Sequence, residues 1–433
     1  MLHRLKSFLP APLLTAYHRI LAHVAALYYG NPSREMVVIG VTGTNGKTST
    51  SYLIAKALEG AGVTTGCTTT ALIKIGNVET QNKMKMTMPG RFALQKLLRQ
   101  MRDAGCTHVV IETSSQGLIQ YRHEGVAYDI GVFTNLTPEH IEAHGGFENY
   151  KKAKKILFTH IAKQSTKILN GNAVEKAFVL NADDEHASFY QVSGIKTLWY
   201  GIHHVKDLAP DSFMLQPRGV DAVIEGNALS LRLPGEYHLS HALAALLVGK
   251  ECGFALPALI KGLETVEVIP GRYQRVDEGQ SFDVIIDYAP EPESFKKFYE
   301  AFEANKHGKV IHVLGSCGGG RDVARRPILG RLAAQHADIV VVTNEDPYDD
   351  NPSEIIEQVA AGAREGGKKE NENLFVIEDR REAIRFAVKQ AMPGDAVILT
   401  GKGNEAWICG ANGNKQPWSE EAEVREALRL AVS

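Results

Sequence analysis

A lysine and several hydroxyl side chains follow a glycine-rich turn in the segment GVTGTNGKTST, residues 40–50. Such a turn lets backbone N–H groups approach phosphate oxygens, and a helix that begins there adds positive potential. Lys47 is expected to reach the β- and γ-phosphates, and the Thr48 hydroxyl is expected to hold Mg²⁺. The segment therefore predicts nucleotide binding with Mg²⁺, and its predicted binding residues are Gly43, Thr44, Asn45, Gly46, Lys47, Thr48 and Ser49.

The surroundings of this turn support a phosphate loop. The strict pattern has a glycine where Val41 stands, so an ordinary glycine-rich turn is the alternative interpretation. However, residues 37–41 form an apolar run typical of a buried strand, and residues 49–59 have the pattern of a helix that Gly60 and Gly62 close. A phosphate loop does not name a reaction, because GTPases, kinases and transporters share it.

Strand and helix patterns alternate along most of the chain, which predicts α/β architecture with largely parallel sheets. We expect a short helical N-terminal extension (1–35), a central P-loop ATPase-like doubly wound domain (36–269) and a C-terminal Rossmann-like α/β domain (270–433). Residues 147–163 predict an amphipathic helix and residues 222–233 a hairpin that turns at Gly226–Asn227. The predicted strands are 37–41, 108–111, 130–133, 282–286, 310–314, 339–343, 374–377 and 396–399.

Charge and cysteine content exclude some classes of protein. The 48 basic and 50 acidic residues give a net charge of −2, without the basic excess of a nucleic-acid-binding protein. The five cysteines are scattered and form no C-x-x-C pair, which fits reduced thiols. We therefore expect a cytoplasmic protein that binds no nucleic acid.

The N-terminal segment is apolar at helical spacing, and the residues in register are Leu13, Tyr17, Ile20, Leu21, Val24, Leu27 and Tyr28. Prolines and charged residues interrupt it too often for a membrane span. The favoured interpretation is an amphipathic helix that packs on its own protein. Peripheral contact with a membrane is the alternative.

Several segments resemble the Mur ligase family, and within it the MurE type, the UDP-N-acetylmuramoyl-tripeptide synthetases. The turn G-T-N-G-K-T is similar to the family signature, IETSSQGLIQYR (111–122) to E-V-S-S-H-A-L-x-x-x-R, and FTNLTPEHIEAHG (133–145) to T-N-L-x-x-D-H-L-D-x-H-G. The resemblance implies an ATP-dependent ligase that adds an amino acid to a carboxylate through an acyl phosphate. It also implies a place in peptidoglycan biosynthesis, and so in cell wall biogenesis, cell shape and cell division.

The resemblance also implies a set of catalytic and metal-binding residues. Lys47 and Thr48 belong to it through the phosphate loop, and Glu112 is expected to coordinate Mg²⁺ beside the γ-phosphate. His140 is expected to bind a second Mg²⁺, and Lys154 aligns with a lysine that the family carbamylates. A carbamylated Lys154 would carry a carboxylate-like group able to help hold that ion.

Substrate contacts follow from the same resemblance. Arg272 in PGRYQRV and Asp287 in VIIDYAPEPES are expected to contact ATP. His238 and His241 replace two family asparagines near the adenine, so base contacts are expected to differ. The predicted contacts with the acceptor, a nucleotide-sugar peptide or a related glycopeptide or peptide, are Thr87, Ser114, Gln120 and Arg122.

The incoming free amino acid is expected to meet VTNEDPYDDNP and LTGKGNEAW, with Asp346, Gly401 and Glu405 as contacts. Diaminopimelate-adding relatives carry an arginine where Tyr348 stands, and that arginine would hold a distal carboxylate. A free Asp346 or Glu405 could instead recognise an ammonium, as on lysine or ornithine. The residues therefore do not support diaminopimelate, although they do not exclude it.

Few residues precede the phosphate loop, too few for the family's N-terminal UDP-binding domain. Either the protein binds a related glycopeptide with fewer contacts to uridine, or the acceptor lacks UDP, as a lipid-linked or free peptide does. The rival functions are a folylpolyglutamate or pseudomurein-type ligase and a non-catalytic nucleotide-binding Mur-like partner protein. Four residues that differ from the family pattern favour the non-catalytic partner protein: Gln116, His238, Pro290 and Asn404. The retained metal-binding residues argue against it.

Overall fold

The computed structural model describes residues 11–138, 144–303 and 308–432. In its first half, strands β1–β6, β9 and β10 form one large sheet, β7 and β8 form a short hairpin, and β11–β13 form a separate three-stranded sheet. The strands are β1 (Val37–Thr42), β2 (Thr65–Thr68), β3 (Leu72–Ile75), β4 (Val78–Gln81), β5 (His108–Glu112), β6 (Ile130–Phe133), β7 (Lys167–Leu169), β8 (Asn172–Val174), β9 (Ala177–Asn181), β10 (Lys196–Tyr200), β11 (Ser212–Gln216), β12 (Gly219–Ile224) and β13 (Asn227–Leu231).

The order of the large sheet is β10-β9-β6-β1-β5-β2-β3-β4. The first six strands in this order, β10, β9, β6, β1, β5 and β2, are parallel to one another, and β3 and β4 add an antiparallel edge. β1, β6 and β9 are almost wholly buried because helices cover both faces of the sheet. The helices are α1 (Ala11–Tyr28), α2 (Lys47–Gly60), α3 (Arg91–Asp103), α4 (Ser115–Ile119), α5 (Phe147–Ala162), α6 (Glu236–Glu251) and α7 (Leu256–Glu264).

A second sheet in the order β14-β15-β19-β16-β17-β18 organises the C-terminal half. It is parallel except for β14, which pairs antiparallel with β15. Its strands are β14 (Gln274–Arg275), β15 (Asp283–Ile286), β16 (Val310–Leu314), β17 (Ile339–Val342), β18 (Leu374–Val376) and β19 (Ala396–Leu399), followed by the hairpin β20 (Trp407–Cys409) and β21 (Lys415–Pro417). The helices are α8 (Pro292–Glu303), α9 (Arg325–His336), α10 (Pro352–Glu365), α11 (Arg380–Gln390) and α12 (Glu420–Val432).

The architecture confirms the predicted fold class, two α/β units with a helical N-terminal extension. Strands 130–133, 310–314 and 396–399 begin and end where their apolar runs do. The hairpin turns one residue earlier than predicted, at Glu225 and Gly226, because both have positive φ (47° and 74°) and Asn227 already begins β13. The predicted boundary at 269/270 falls between α7 and β14, and the exact domain limits stay a prediction.

Helix α1 packs against α3, as the favoured interpretation requires, but through an unexpected face. The residues buried on its inner side are the alanines Ala22, Ala25 and Ala26. Of the larger apolar residues at helical spacing, Leu21 is half-buried, and the others, among them Ile20 and Leu27, are exposed. Among the described helices, none combines the length and the apolar character that crossing a membrane requires.

Candidate active site

The phosphate loop connects the end of β1 to the first residue of α2. Gly46 precedes the helix with a φ of 79°, a conformation that glycine adopts without strain. Gly43 packs against the segment after β6, where an added Cβ would lie 1.9 Å from Thr134 Oγ1. Asn135 fixes the loop further, since its carbonyl accepts from Thr44 N at 2.8 Å and its Oδ1 from Asn45 N at 2.8 Å.

Lys47 and Thr48 occupy the first turn of α2. Lys47 Nζ donates to the carbonyl of Thr44 at 2.6 Å, which folds the ammonium back over the loop. Thr48 Oγ1 donates to Glu112 Oε2 at 2.9 Å. Glu112 ends β5, and its partner across the parallel pair is Val41 of β1, so the register of the sheet brings the carboxylate to the loop.

Glu112 is also held by a residue that the sequence did not single out. Thr70 donates its N–H to Glu112 Oε2 at 2.6 Å and its hydroxyl to Glu112 Oε1 at 3.0 Å. The same hydroxyl lies 2.9 Å from Thr87 Oγ1. Carboxylate and hydroxyl oxygens are the ligands that Mg²⁺ prefers, so Thr48 and Glu112 fit such an ion. In the sequence, the run of threonines at the end of β2 is the one feature that could have pointed to Thr70 as a site residue.

Lys154 lies on α5, behind the loop. Its Nζ donates to the carbonyl of Gly43 at 2.6 Å and stands 4.1 Å from the ring centroid of Tyr150. The side chain is buried and does not line the cavity in front of the loop. Its carbamylation stays a prediction. The predicted ligand His140 lies outside the described residues.

Residues from both halves of the chain face a cleft of about 630 Å³. Arg272 Nη2 approaches Thr48 Oγ1 at 3.4 Å. Asp287 accepts N–H bonds from Tyr273 at 2.6 Å and Ala289 at 2.7 Å, while burial raises the pKa of its carboxyl. The predicted residues that line the cleft are Thr44, Asn45, Gly46, Lys47, Thr48, Ser49, Thr87, Glu112, Arg272 and Asp287.

Two histidines of α6, His238 and His241, line the same cleft, and His241 lies against Gly46 of the loop. Burial lowers the pKa of His238 to about 4 and that of His241 to about 3, so both rings are neutral near pH 7. His238 Nδ1 lies 2.6 Å from the carbonyl of Pro234, and therefore carries the proton. Within the described residues, His238 Nε2 and His241 Nδ1 are buried without a hydrogen-bond partner.

Ser114, Gln120 and Arg122 do not line this cleft. Ser114 caps α4 by accepting from Gly117 N at 3.1 Å. Arg122 donates to Gln120 Oε1 at 2.6 Å and to the carbonyl of Met88. These contacts give all three residues a structural role beside the loop that contains Thr87. Their predicted contact with the acceptor stays a prediction.

Four charged side chains form a second group, called here the charge cluster: Lys85, Asp346, Lys402 and Glu405. Lys402 Nζ lies 3.0 Å from both oxygens of Asp346 and 2.7 Å from Glu405 Oε2. Lys85, from the first half of the chain, pairs with Asp346 and lies 3.3 Å from Glu405 Oε2. Neither carboxylate is therefore free, which corrects the expectation that a free Asp346 or Glu405 awaits an ammonium.

The charges in this cluster stabilise one another. Burial opposes ionisation of Asp346, but Lys402 and Lys85 outweigh it and lower the pKa of that carboxyl. Burial also lowers the pKa of the Lys85 ammonium, and Glu405 and Asp346 more than reverse this. For Glu405 burial dominates and raises the pKa. No sequence signal pointed to Lys85, since nothing near it in the chain carries the opposing charges.

The two halves meet through further contacts around the cluster. Asn404 Nδ2 donates to the carbonyl of Ala71 at 2.9 Å, and its own carbonyl accepts from Gln81 at 2.6 Å. Trp407 Nε1 donates to the carbonyl of Lys83 at 3.1 Å. Gly401, a predicted amino-acid contact, lies beside Glu345, whose Oε2 would be 2.2 Å from an added Cβ. Its role toward the amino acid stays a prediction.

Comparisons with known proteins agree with this arrangement. The model of the Mur ligase middle domain matches residues 41–249, and that of the Mur ligase, glutamate ligase domain matches residues 271–403. A UDP-N-acetylmuramyl-tripeptide synthetase of Roseiflexus sp. (strain RS-1) is 39% identical over 421 residues, which cover 94% of this chain and 81% of the relative.

Two further relatives are diaminopimelate ligases by name. The UDP-N-acetylmuramoyl-L-alanyl-D-glutamate–2,6-diaminopimelate ligase of Geobacillus kaustophilus (strain HTA426) is 34% identical over 408 residues, 92% of this chain and 80% of the relative. A solved structure of a ligase with that name has a TM-score of 0.59 and 28% identity, and covers 92% of this chain and 79% of its own. With both domain models matched and the phosphate loop in place, the chain belongs to the Mur ligase family.

Proposed function

We propose that the chain is an ATP-dependent amide ligase of the MurE type, which adds an amino acid to a carboxylate of a peptidoglycan-precursor peptide. The main support is one cleft that gathers the phosphate loop, the Thr48–Glu112 pair and, from the C-terminal half, Arg272 and Asp287. Phosphates fit the loop, and the C-terminal residues close over them. The requirement for ATP favours the cytoplasm as the site of the reaction.

The reaction has two steps. A carboxylate oxygen of the acceptor attacks the γ-phosphorus, the bond to the β-phosphate oxygen breaks, and ADP leaves. The amino group of the incoming residue then attacks the carbonyl of this acyl phosphate, inorganic phosphate leaves, and the amine gives up a proton. Both steps depend on positioning and on charge stabilisation rather than on a covalent nucleophile of the protein.

The residues at the loop carry the charge stabilisation. Lys47 and the N-terminus of α2 stabilise the negative charge that spreads over the transferring phosphoryl group. Mg²⁺, when bound by Thr48 and Glu112, supplies further positive charge there. Arg272 adds a cation from the C-terminal half. Closure of the cleft over the bound substrates would keep water from the acyl phosphate.

The charge cluster makes diaminopimelate a better candidate for the incoming amino acid than lysine. Lys85 Nζ lies 5.6 Å from the ring centroid of Tyr348, so it supplies a cation beside the position where diaminopimelate-adding relatives carry arginine. The distal end of diaminopimelate carries an ammonium and a carboxylate. Its ammonium can pair with the carboxylates of the cluster, and its carboxylate can pair with the cluster's two ammonium groups. The lone ammonium of lysine or ornithine must instead compete with Lys85 for Asp346 and Glu405.

The acceptor is proposed to be a UDP-linked muramoyl dipeptide, as the names of the relatives state for those proteins. Acceptors without UDP, such as a lipid-linked or free peptide, are the alternative. Carbamylation of Lys154 is part of the same proposal. Its Nζ lies close to Gly43 of the loop, where an added carboxylate could reach a second metal ion.

The test is phosphate release by the purified protein with Mg-ATP, UDP-N-acetylmuramoyl-L-Ala-D-Glu and one amino acid at a time. Release that requires both substrates, together with a product heavier by one residue, would support the proposal. The amino acids are diaminopimelate, lysine and ornithine. A Glu112→Gln variant separates ligation from contaminating ATPase activity, because it removes one negative charge from the site but keeps the shape of the side chain.

The outcomes separate the alternatives. Turnover with diaminopimelate and little with lysine supports the assignment of the charge cluster. Turnover only with an acceptor that lacks uridine keeps the ligase and rejects the UDP substrate. ATP binding without turnover on UDP-linked, lipid-linked or free peptides would favour the non-catalytic partner protein.

A further inference from the structure

Helix α1 presents an apolar stripe to solvent. Six of its large apolar residues recur at spacings of three and four, so they lie on one face of the helix. Ile20 is 61% exposed and Leu27 68% exposed. The other members of the stripe are Leu13, Tyr17, Val24 and Tyr28, and Phe92 of α3 lies beside Tyr28 with ring centroids 6.4 Å apart.

The opposite face fixes the helix on the protein, so the stripe is held outward. The small side chains Ala22, Ala25 and Ala26 are buried there. Arg19 and His23 extend to Glu124, which they meet at 3.1 Å and 3.3 Å. A helix that docked by its main apolar face would bury the stripe. This helix does the reverse, and the stripe remains available to another surface.

The charge of the same segment indicates what that surface is. Residues 1–34 contain no aspartate or glutamate, whereas the whole chain carries 50 acidic residues. The segment does contain the cations Arg4, Lys6, Arg19 and Arg34, of which Arg19 is already paired with Glu124, together with three histidines. Apolar residues on one face combined with an exclusively basic charge are typical of helices that lie in the interface of an anionic membrane.

We propose that α1 docks the enzyme on an anionic lipid surface, with the stripe in the headgroup–acyl boundary and the helix parallel to the membrane plane. This role is independent of the ligase reaction. It fits the finding that no described helix is able to cross a membrane, because an interfacial helix need not span it. A second copy of the chain is the competing occupant, although the basic charge of both copies would oppose such a pairing.

The test is co-sedimentation of the purified chain with vesicles of phosphatidylglycerol and with vesicles of phosphatidylcholine. The matched variants are Ile20→Ser/Leu27→Ser on the stripe and Val205→Ser/Met392→Ser at exposed apolar positions elsewhere. Thermal unfolding of each variant checks that it is folded. Light scattering without lipid reports the oligomeric state.

The proposal expects binding to phosphatidylglycerol vesicles that weakens with salt and is weak on phosphatidylcholine. The stripe variant should lose at least tenfold in partitioning, and the control variant should bind like the wild type. Three results would overturn it: no sedimentation with either lipid, equal binding by the stripe variant, or a dimer that this variant converts to a monomer.

Discussion

The phosphate loop and the charge cluster are both built to handle charge, but by opposite means. The loop is a contiguous segment whose backbone and helix N-terminus face the cleft, and the two histidines beside it are neutral. The cluster consists of full charges on side chains, and Lys85 is 261 residues from its partner Asp346. The loop is formed by one local segment, whereas the cluster exists only when the two halves of the chain meet.

This difference separates chemistry from selection. Phosphate oxygens are common to every ATP-using enzyme, so a local backbone motif suffices to bind them. In the proposed function, the choice of amino acid depends on a few charges placed by tertiary structure, and one of these charges can change without disturbing the loop. A substitution in the loop should therefore leave the charge cluster intact, and a substitution in the cluster should leave the loop intact.

The largest effect is expected at the loop. Lys47→Met removes the ammonium that stabilises the transferring phosphoryl group, so turnover should fall by on the order of a thousandfold. Phosphate release with saturating substrates measures it. Lys56→Met, in the same helix but paired with Glu59 at 2.8 Å, is the matched control and should stay near wild type. Equal losses in both variants would contradict the role of Lys47.

The next effect is on stability and lies in the cluster. Asp346→Asn leaves Lys402 and Lys85 with Glu405 alone, and breaking such a buried group is expected to cost roughly 3 kcal/mol of unfolding free energy. Urea unfolding followed by tryptophan fluorescence measures it. Asp349→Asn, in the same loop but exposed, should change little. A neutral Asp346→Asn variant would mean that the four charges do not form one unit.

A smaller effect is expected on selection. Lys85→Met removes the cation beside Tyr348 and leaves a net negative cluster, so the kcat/KM ratio of diaminopimelate to lysine should fall by about tenfold, the worth of one charge-assisted hydrogen bond. Competition between the two amino acids measures the ratio. Lys83→Met, exposed in the same loop, should leave it unchanged. An unchanged ratio in Lys85→Met would remove Lys85 from substrate selection.

The effect that is smallest near neutral pH concerns the pH dependence of stability. The pKa of buried His241 is about 3, below the value of about 6.5 in an unfolded chain. Between these values the unfolded state binds the proton more readily, so stability falls as the pH drops below about 6.5, by about 1.4 kcal/mol per unit for this residue. His241→Asn should flatten that slope in urea unfolding, and exposed His203→Asn should not. Equal slopes would place the acid sensitivity elsewhere.

The sequence determined much of the fold and the loop half of the site. Apolar runs bounded by turns predicted strands such as 130–133 and 396–399, because burial on both faces of a parallel sheet leaves a continuous apolar segment. The loop was predictable because its glycines, Lys47 and Thr48 act within one strand–turn–helix unit. Glu112 was reached through resemblance, and the pairing of β1 with β5 supplies its position.

Only the tertiary structure decided the partners of Asp346 and Glu405 and the face by which α1 docks. Both depend on groups distant in the chain. Lys85 approaches the C-terminal half from the first half of the chain. The alanines Ala22 and Ala26 of α1 pack beside Gly125, while most of its larger side chains stay exposed. Periodicity shows that a helix has an apolar face but not whether that face is covered. Likewise, residue type shows a charge but not its partner, because ion pairing depends on distances that only folding sets.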